Sequence, residues 1–360
     1  MSDIKIPIEV KPYPDEILSS WIIRNSIANG SDPSSFVGGI WHEFRAWSRD
    51  IDRHLSSGKA SKLSKITSLS KEQVKNLTLE PIIETITSRT SLNPKATWYF
   101  VIPTGTRGTT RINGAHFCSK CLALPNPYIK KQWKLAWNVA CPIHKQLLIS
   151  SCQNCNKVFS PHLIDYMNTK IYICTNCGFD LRKSSVIDSD KEALSLQESL
   201  NDAIFNGKIS KSLPLAEHTI DELFITTRVL LSFFRNLYRL PRYKDIFEKL
   251  NLSNKEVFHT SSSRNSFEAI EVKDREILMI AVSRLFKINI DEIKNLFKNS
   301  KLRYKTLAEQ LNISSKTIDY LAEGLIVSDS FSISANTCKE IKPRSKEEVE
   351  TLMDEIRTFL

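Results

Sequence analysis

Seven of the eight cysteines in this 360-residue chain fall between Cys118 and Cys177. With His144 they form four pairs of one spacing: Cys118 with Cys121, Cys141 with His144, Cys152 with Cys155, and Cys174 with Cys177. Two soft donors separated by two residues sit across a tight turn, the half-site a tetrahedral zinc requires. Nineteen residues separate Cys121 from Cys141 and eighteen separate Cys155 from Cys174, both within the range of a zinc ribbon. Sequential pairing therefore assigns Cys118, Cys121, Cys141 and His144 to one Zn2+, and Cys152, Cys155, Cys174 and Cys177 to a second. The alternative is an interleaved cross-brace, which wants closer middle pairs than the seven residues between His144 and Cys152. Disulfides are the other use of such cysteines, but paired two-residue spacing is poor geometry for structural bridges. Both quartets are closed, so the metals are expected to hold shape rather than perform chemistry, each contributing on the order of 10 kcal/mol to folding. His116 and His162 are nearby spare donors expected at the surface, and Cys338 stands apart.

The elements that must carry these ligands read as mainly helical. Between the knuckles of the first site, Ile129, Trp133, Ala136, Trp137 and Ala140 recur at helical spacing and predict an amphipathic helix over Tyr128–Ala140. Lys130, Lys131 and Lys134 would line its other flank and, with Lys120, are candidate phosphate contacts; the plainer reading is a solvated helix face. Near the N-terminus a helix opens at Tyr13-Pro14-Asp15-Glu16, continues through Ile17, Trp21, Arg24 and Ala28, and closes at Asn29-Gly30. Leu63, Ile66, Leu69, Val74 and Leu77 fit two short helices, with Ser70 and Gln73 as a capping box, outlining a small helix-turn-helix.

Past the cysteines, Leu194 to Leu252 is helix-rich with an apolar core at Leu223 to Leu240, and Thr260 to Ser266 reads as a linker. Ile277, Ile280 and Ala281 begin another helix, and Ile288 to Phe297 make a short one. Tyr304 to Leu311, a turn capped by Ser314, and Ser315 to Gly324 outline a second helix-turn-helix. Its second helix would present Ser315, Lys316, Asp319, Tyr320 and Glu323; Ser315, Lys316, Thr317 and Tyr320 are its candidate binding residues. Asp319 and Glu323 would oppose phosphate, so a protein partner suits this face as well as DNA. The expected architecture is mainly α and multidomain. It comprises an N-terminal helix-turn-helix domain (1–110), a central tandem zinc-ribbon-like module (111–185), a helical domain (186–258) and a C-terminal helix-turn-helix domain (259–360).

Composition bounds the function. Hydrophobic residues make up 41% and charged residues 25%, ordinary for a globular chain. Fifty basic against 40 acidic residues give a net charge of +10, which suits a phosphate-rich partner. Apolar runs such as Val229 to Phe234 fall short of a membrane helix, and Met1 to Val10 lacks a signal-peptide pattern, so a cytoplasmic protein without membrane contact is expected. No G-x4-G-K-[ST] loop is present and the cysteines are committed to metal, which argues against an enzyme. A zinc-stabilised transcription regulator is the competing non-enzymatic reading.

Two stretches resemble one family. Pro14-Asp15-Glu16, Ser20-Trp21, Arg24 and Ala28-Asn29-Gly30 resemble the N-terminal signature of TniQ proteins, the target-selection subunits of Tn-seven-like transposons. Phe117-Cys118, Cys121-Leu122, Pro127-Tyr128, Trp133, Trp137, Cys141-Pro142, His144, Leu147-Leu148, Cys152, Cys155, Cys174, Cys177-Gly178 and Asp180-Leu181-Arg182 follow its pattern in order. Lys145 and Asn156 depart from it, standing where the family often has glycine. The resemblance implies a non-catalytic, bacterial, nucleoid-associated adapter in DNA transposition. Such an adapter links target recognition to an AAA+ ATPase, either by reading attachment-site DNA or as a homodimer docked on a CRISPR Cascade complex with its guide RNA.

Overall fold

The computed structural model describes residues 5–42, 46–87, 98–104, 106–107, 110–111, 115–165, 167–213, 219–236, 248–252 and 267–288. Thr260–Ser266, the helix expected beyond Ile288, the helix-turn-helix of Tyr304–Gly324 and Cys338 lie outside them.

Five helices open the chain. In α1 (Leu18–Ala28) the left-handed Gly30, at φ 66°, closes the C-terminus, its N–H donating to the Ile27 carbonyl. α2 (Pro33–Ile40) starts where Asp32 accepts from the Ser34 and Ser35 N–H groups and proline takes the first turn. α3 (Ser57–Ile66) and α4 (Lys71–Asn76) pack together, and the expected capping box starts α4: the Gln73 N–H donates to Ser70 Oγ at 3.1 Å and the Ser70 N–H to Gln73 Oε1 at 2.8 Å. α5 (Glu80–Thr87) follows. Leu18, Trp21, Ile22, Val37, Ile40, Leu63 and Val74 fill the core of this unit.

The cysteine-bearing segment is built differently. Among the described residues its paired strands are two residues each, Thr106–Arg107 (β1) antiparallel to Thr110–Arg111 (β2). One short helix, α6 (Ser119–Leu122), and 3-10 turns at Lys131–Lys134, Pro161–Leu163 and Leu181–Lys183 punctuate otherwise extended chain. The amphipathic helix expected over Tyr128–Ala140 does not form, because other segments take its backbone groups. Ile17 and Ile102 donate to the Ile129 and Lys134 carbonyls, while Lys131 and Ala136 donate to Asp15 and Phe100. Ile129, Trp133, Leu135, Ala136, Trp137, Val139 and Ala140 are all buried, so there is no single apolar stripe.

A helical layer of α7 (Lys191–Phe205), α8 (Ile220–Asn236) and α9 (Val272–Phe286) covers this segment, with α7 against α9, α8 against α9 and α5 against α8. One apolar core runs through it from Ile17 to Phe286. At its centre the buried Phe100 ring meets Trp137, Phe224 and Phe267 edge-on, with centroids 5.4, 5.6 and 6.1 Å away. Phe100 adopts φ 62°, costly for a bulky side chain. The buried Glu268 fixes it, accepting the Phe100 N–H at 2.8 Å while also binding Arg228 at 3.2 Å.

Candidate metal centres

The ligand pairs sit on two kinds of turn. Cys118 immediately precedes α6 and Cys121 lies within it, where the Leu122 N–H donates to the Cys118 carbonyl at 3.0 Å. The other three pairs repeat a hairpin. The residue after the second donor turns back to the first donor's carbonyl: Lys145 to Cys141 and Asn156 to Cys152 at 2.8 Å, Gly178 to Cys174 at 2.9 Å. The first donor's N–H then reaches the residue beyond, Cys141 to Gln146, Cys152 to Lys157 and Cys174 to Phe179. All three turning residues have positive φ, 56° for Lys145, 56° for Asn156 and 73° for Gly178. The position where this sequence departs from the family's glycine is therefore the one with a conformational reason for glycine.

The eight donors gather into the two sequential quartets, each with ligand atoms within 4.8 Å of one another. In the first, His144 Nδ1 lies 3.4, 3.3 and 3.7 Å from the sulfurs of Cys118, Cys121 and Cys141, and Cys121 is 3.6 Å from Cys141. In the second, Cys152–Cys177 and Cys155–Cys174 are both 3.7 Å apart. A tetrahedron of sulfurs about 2.3 Å from a central zinc has edges of about 3.8 Å, so both clusters could hold the ion. Sulfurs this close cannot all ionise alone. Hydrogen bonds from Cys118 and Cys121 hold the Cys141 thiol down at about 2, while contacts with Cys118 and Cys141 push Cys121 far up. A divalent cation removes that conflict.

The two centres differ in cover. Cys118, Cys121 and Cys141 of the first are buried in the apolar core, and so are Cys152 and Cys174 of the second. Cys177 is exposed and Cys155 half-buried, with Gln153, Asn154, Thr175 and Asn176 exposed around them. Asn154 Nδ2 donates to Cys177 Sγ at 3.5 Å, and this bond and the Phe179 N–H bring that thiol down to about 6.

Neither spare histidine is free at the surface. His116 is 4% exposed because the Arg275 guanidinium of α9 reaches inward against its ring, 3.3 Å from either nitrogen, correcting the surface placement expected from sequence. Burial, then the Arg275 and Lys134 charges, keep its pKa well below the ordinary value and the ring neutral. His162 is half-buried against Trp47, centroids 5.2 Å apart.

Three of the four candidate phosphate lysines are turned inward. Lys130 Nζ binds Asp15 at 2.5 Å and the Tyr128 hydroxyl at 2.9 Å; Lys131 donates to the Asn76 carbonyl at 2.6 Å. Lys134, 1% exposed, binds Asp50 at 2.5 Å, Thr104 Oγ1 at 2.8 Å and Asp52 at 3.3 Å. Each acceptor but Thr104 and Tyr128 belongs to the N-terminal helical unit or its connections, so the 3-10 turn clamps that unit onto the first centre. Lys120 stays exposed. Ser315, Lys316, Thr317 and Tyr320 lie outside the described residues.

The N-terminal signature completes this joint, a role sequence reading did not find. Glu16, fully buried, accepts from Ser20 Oγ at 2.7 Å, Arg24 at 2.6 Å and the Tyr13 N–H at 3.1 Å. Ser20 Oγ in turn accepts the Ile129 N–H at 2.9 Å, and Tyr13 stacks on Tyr128 with centroids 4.3 Å apart. No sequence pattern marked the joint, because its partners lie 55 to 115 residues apart along the chain.

Fold and centres together define a mainly helical protein with two zinc-type sites, one of three cysteines and a histidine and one of four cysteines. Residues 7–148 match the family model TniQ, across the N-terminal signature and the whole of the first, histidine-containing centre. The match stops short of Cys152. No curated protein matches the chain. None of the described helices is long and apolar enough to cross a membrane.

Proposed function

We propose that this chain is a non-catalytic adapter in DNA transposition that couples target recognition to an AAA+ transposition ATPase, with one structural zinc in each centre. The observation that carries it is the TniQ match over residues 7–148, which spans the clamp between the N-terminal helices and the histidine-containing quartet. Cys118, Cys121, Cys141 and His144 would hold the first ion and Cys152, Cys155, Cys174 and Cys177 the second. Bound there, zinc supplies rigidity: both quartets are complete without a water ligand.

The recognition side follows from charge. Lys130, Lys131 and Lys134 are occupied at the joint, which leaves Lys120 of the four on this surface, and the sequence segment of Ser315, Lys316, Thr317 and Tyr320 also contains the opposing Asp319 and Glu323. This favours target choice through a partner complex of the CRISPR Cascade type, entered as a homodimer, over direct reading of attachment-site DNA.

Pull-down of the purified chain against an AAA+ transposition ATPase from the same genome tests the adapter role; retention is expected, and its absence with a folded, zinc-loaded chain overturns it. Duplex binding titrated against salt tests the recognition side. Weak affinity with a shallow salt slope is expected, whereas tight sequence-selective binding without a partner would favour the transcription-regulator reading.

A further inference from the structure

The two centres present different chemistry to solvent. Around the first, Cys118, Cys121 and Cys141 are 2%, 3% and 0% exposed, all three within the apolar core, where Cys152 and Cys174 of the second centre also lie. Around the second, Cys177 is exposed, Cys155 is half-buried, and the covering residues Gln153, Asn154, Thr175, Asn176 and Gly178 are polar or bare and themselves exposed. Four thiolates on one zinc also leave a charge of about −2 on the centre, against about −1 for three thiolates and a neutral histidine. More electron density on sulfur and open access are the two conditions for attack on an electrophile.

From this contrast we infer that the second, all-cysteine centre is an oxidant-responsive metal site, in which Cys177 is the sulfur attacked first by peroxides, while the first, histidine-containing centre is shielded. The inference rests on the zinc occupancy proposed above. In the reaction the Cys177 sulfur attacks one peroxide oxygen, the O–O bond breaks, and a sulfenic acid and hydroxide result. The Cys152 sulfur, 3.7 Å away, then displaces the second hydroxide and forms the S–S bond. Two electrons pass from two sulfurs to one peroxide. With those two sulfurs joined, only Cys155 and Cys174 would remain to hold an ion, too few to retain it against a chelator. Asn154, whose amide donates to Cys177 Sγ, stands where it would orient that sulfur outward.

The test uses the full chain. Elemental analysis first establishes zinc content; a chain that takes up no zinc, as purified or on reconstitution, sinks the occupancy reading and this inference with it, whereas the outcomes below concern this inference alone. The two-zinc protein is then treated with hydrogen peroxide in the presence of a chromophoric chelator, and its disulfides are mapped by mass spectrometry. One equivalent of zinc should appear in a fast phase accompanied by a Cys152–Cys177 disulfide, with the second released at least about tenfold more slowly. Cys177→His, which keeps a ligand but removes the sulfur, should retain two zincs and lose the fast phase. If that variant does not load its second zinc, the mapping on the unaltered chain decides alone. Release of both ions in one phase, or oxidation of Cys118, Cys121 and Cys141 as fast as Cys177, overturns the inference.

Discussion

At the scale of single residues, backbone conformation explains where this sequence and the TniQ pattern part. Lys145 and Asn156 occupy the left-handed position that Gly178 fills in the third hairpin, and a β-carbon there costs about 1 kcal/mol or more, less for asparagine. Lys145→Gly should therefore stabilise the zinc-loaded protein by about 1 kcal/mol, because the exposed pair that Lys145 makes with Glu198 is worth little. Asn156→Gly should gain a few tenths of a kcal/mol. Gly178→Ala should lose about 1 kcal/mol, and purely through conformation, since no atom lies within 4 Å of where its β-carbon would stand. Urea unfolding with zinc in excess measures all three; a loss on Lys145→Gly would show that the lysine, not the turn, matters. Glu268 presents a different residue-scale case, since it satisfies the strained Phe100 N–H and the Arg228 guanidinium at once. Glu268→Ala should cost about 3 kcal/mol in the same assay, the range for a broken buried ion pair.

Between elements, charge does the fastening. Lys134 joins the 3-10 turn to Asp50 and Asp52, and its removal strands two buried carboxylates. Burial already raises the Asp52 pKa, and Lys134 is the chief influence opposing it. Lys134→Met should destabilise by about 3 kcal/mol, whereas Lys120→Glu, at an exposed position, should change stability by less than about 0.5 kcal/mol. Equal small effects from both would return Lys134 to a solvent-facing role. On the far side, Glu192 of α7 holds Arg284 at 2.6 Å and Lys287 at 2.7 Å at the end of α9. Lys287 foremost, with Arg284, draws the Glu192 pKa below its ordinary 4.5. A lowered folded-state value means its contribution is complete above about pH 4.5 and disappears as the pH falls through the lower folded value. The stability gap between the native chain and Glu192→Gln, up to about 1 kcal/mol, should thus be flat from about pH 7 to about pH 5 and close below about 4.5. Periodicity and caps made α1, α3, α4 and α9 legible, because local hydrogen bonds at Ser70 and Gly30 decide where those elements begin and end. The Tyr128–Ala140 stretch was not legible. Its apolar spacing is helical, yet the backbone partners that keep it from forming a helix, Asp15, Ile17, Phe100 and Ile102, are distant in sequence.

For the whole molecule, the gathering of the eight donors into two sequential quartets was readable from spacing alone, since two donors flanking two residues face one another across a turn. Their unequal cover was not readable, because it depends on α7, α8 and α9 folding over the first centre and leaving the second at the edge. That asymmetry predicts unequal consequences of ligand loss. Cys118→Ser opens the quartet seated among Trp133, Trp137 and Phe117, in the same apolar core that continues to Leu278 and Phe286 of α9. Losing that metal should unfold the helical layer with it: far-UV helical signal falls and tryptophan emission shifts to the red as Trp133 and Trp137 meet water. Cys177→Ser should release one zinc while leaving both signals close to native, because Cys177 is exposed while Phe159, Ile164 and Ile171 stay packed in the core and His162 against Trp47 whether or not the ion is held. Zinc stoichiometry, circular dichroism and fluorescence on the two variants separate the outcomes. A Cys118→Ser chain with native helicity and buried tryptophans would mean that the helices hold the centre in place, and that the metal does not hold the helices.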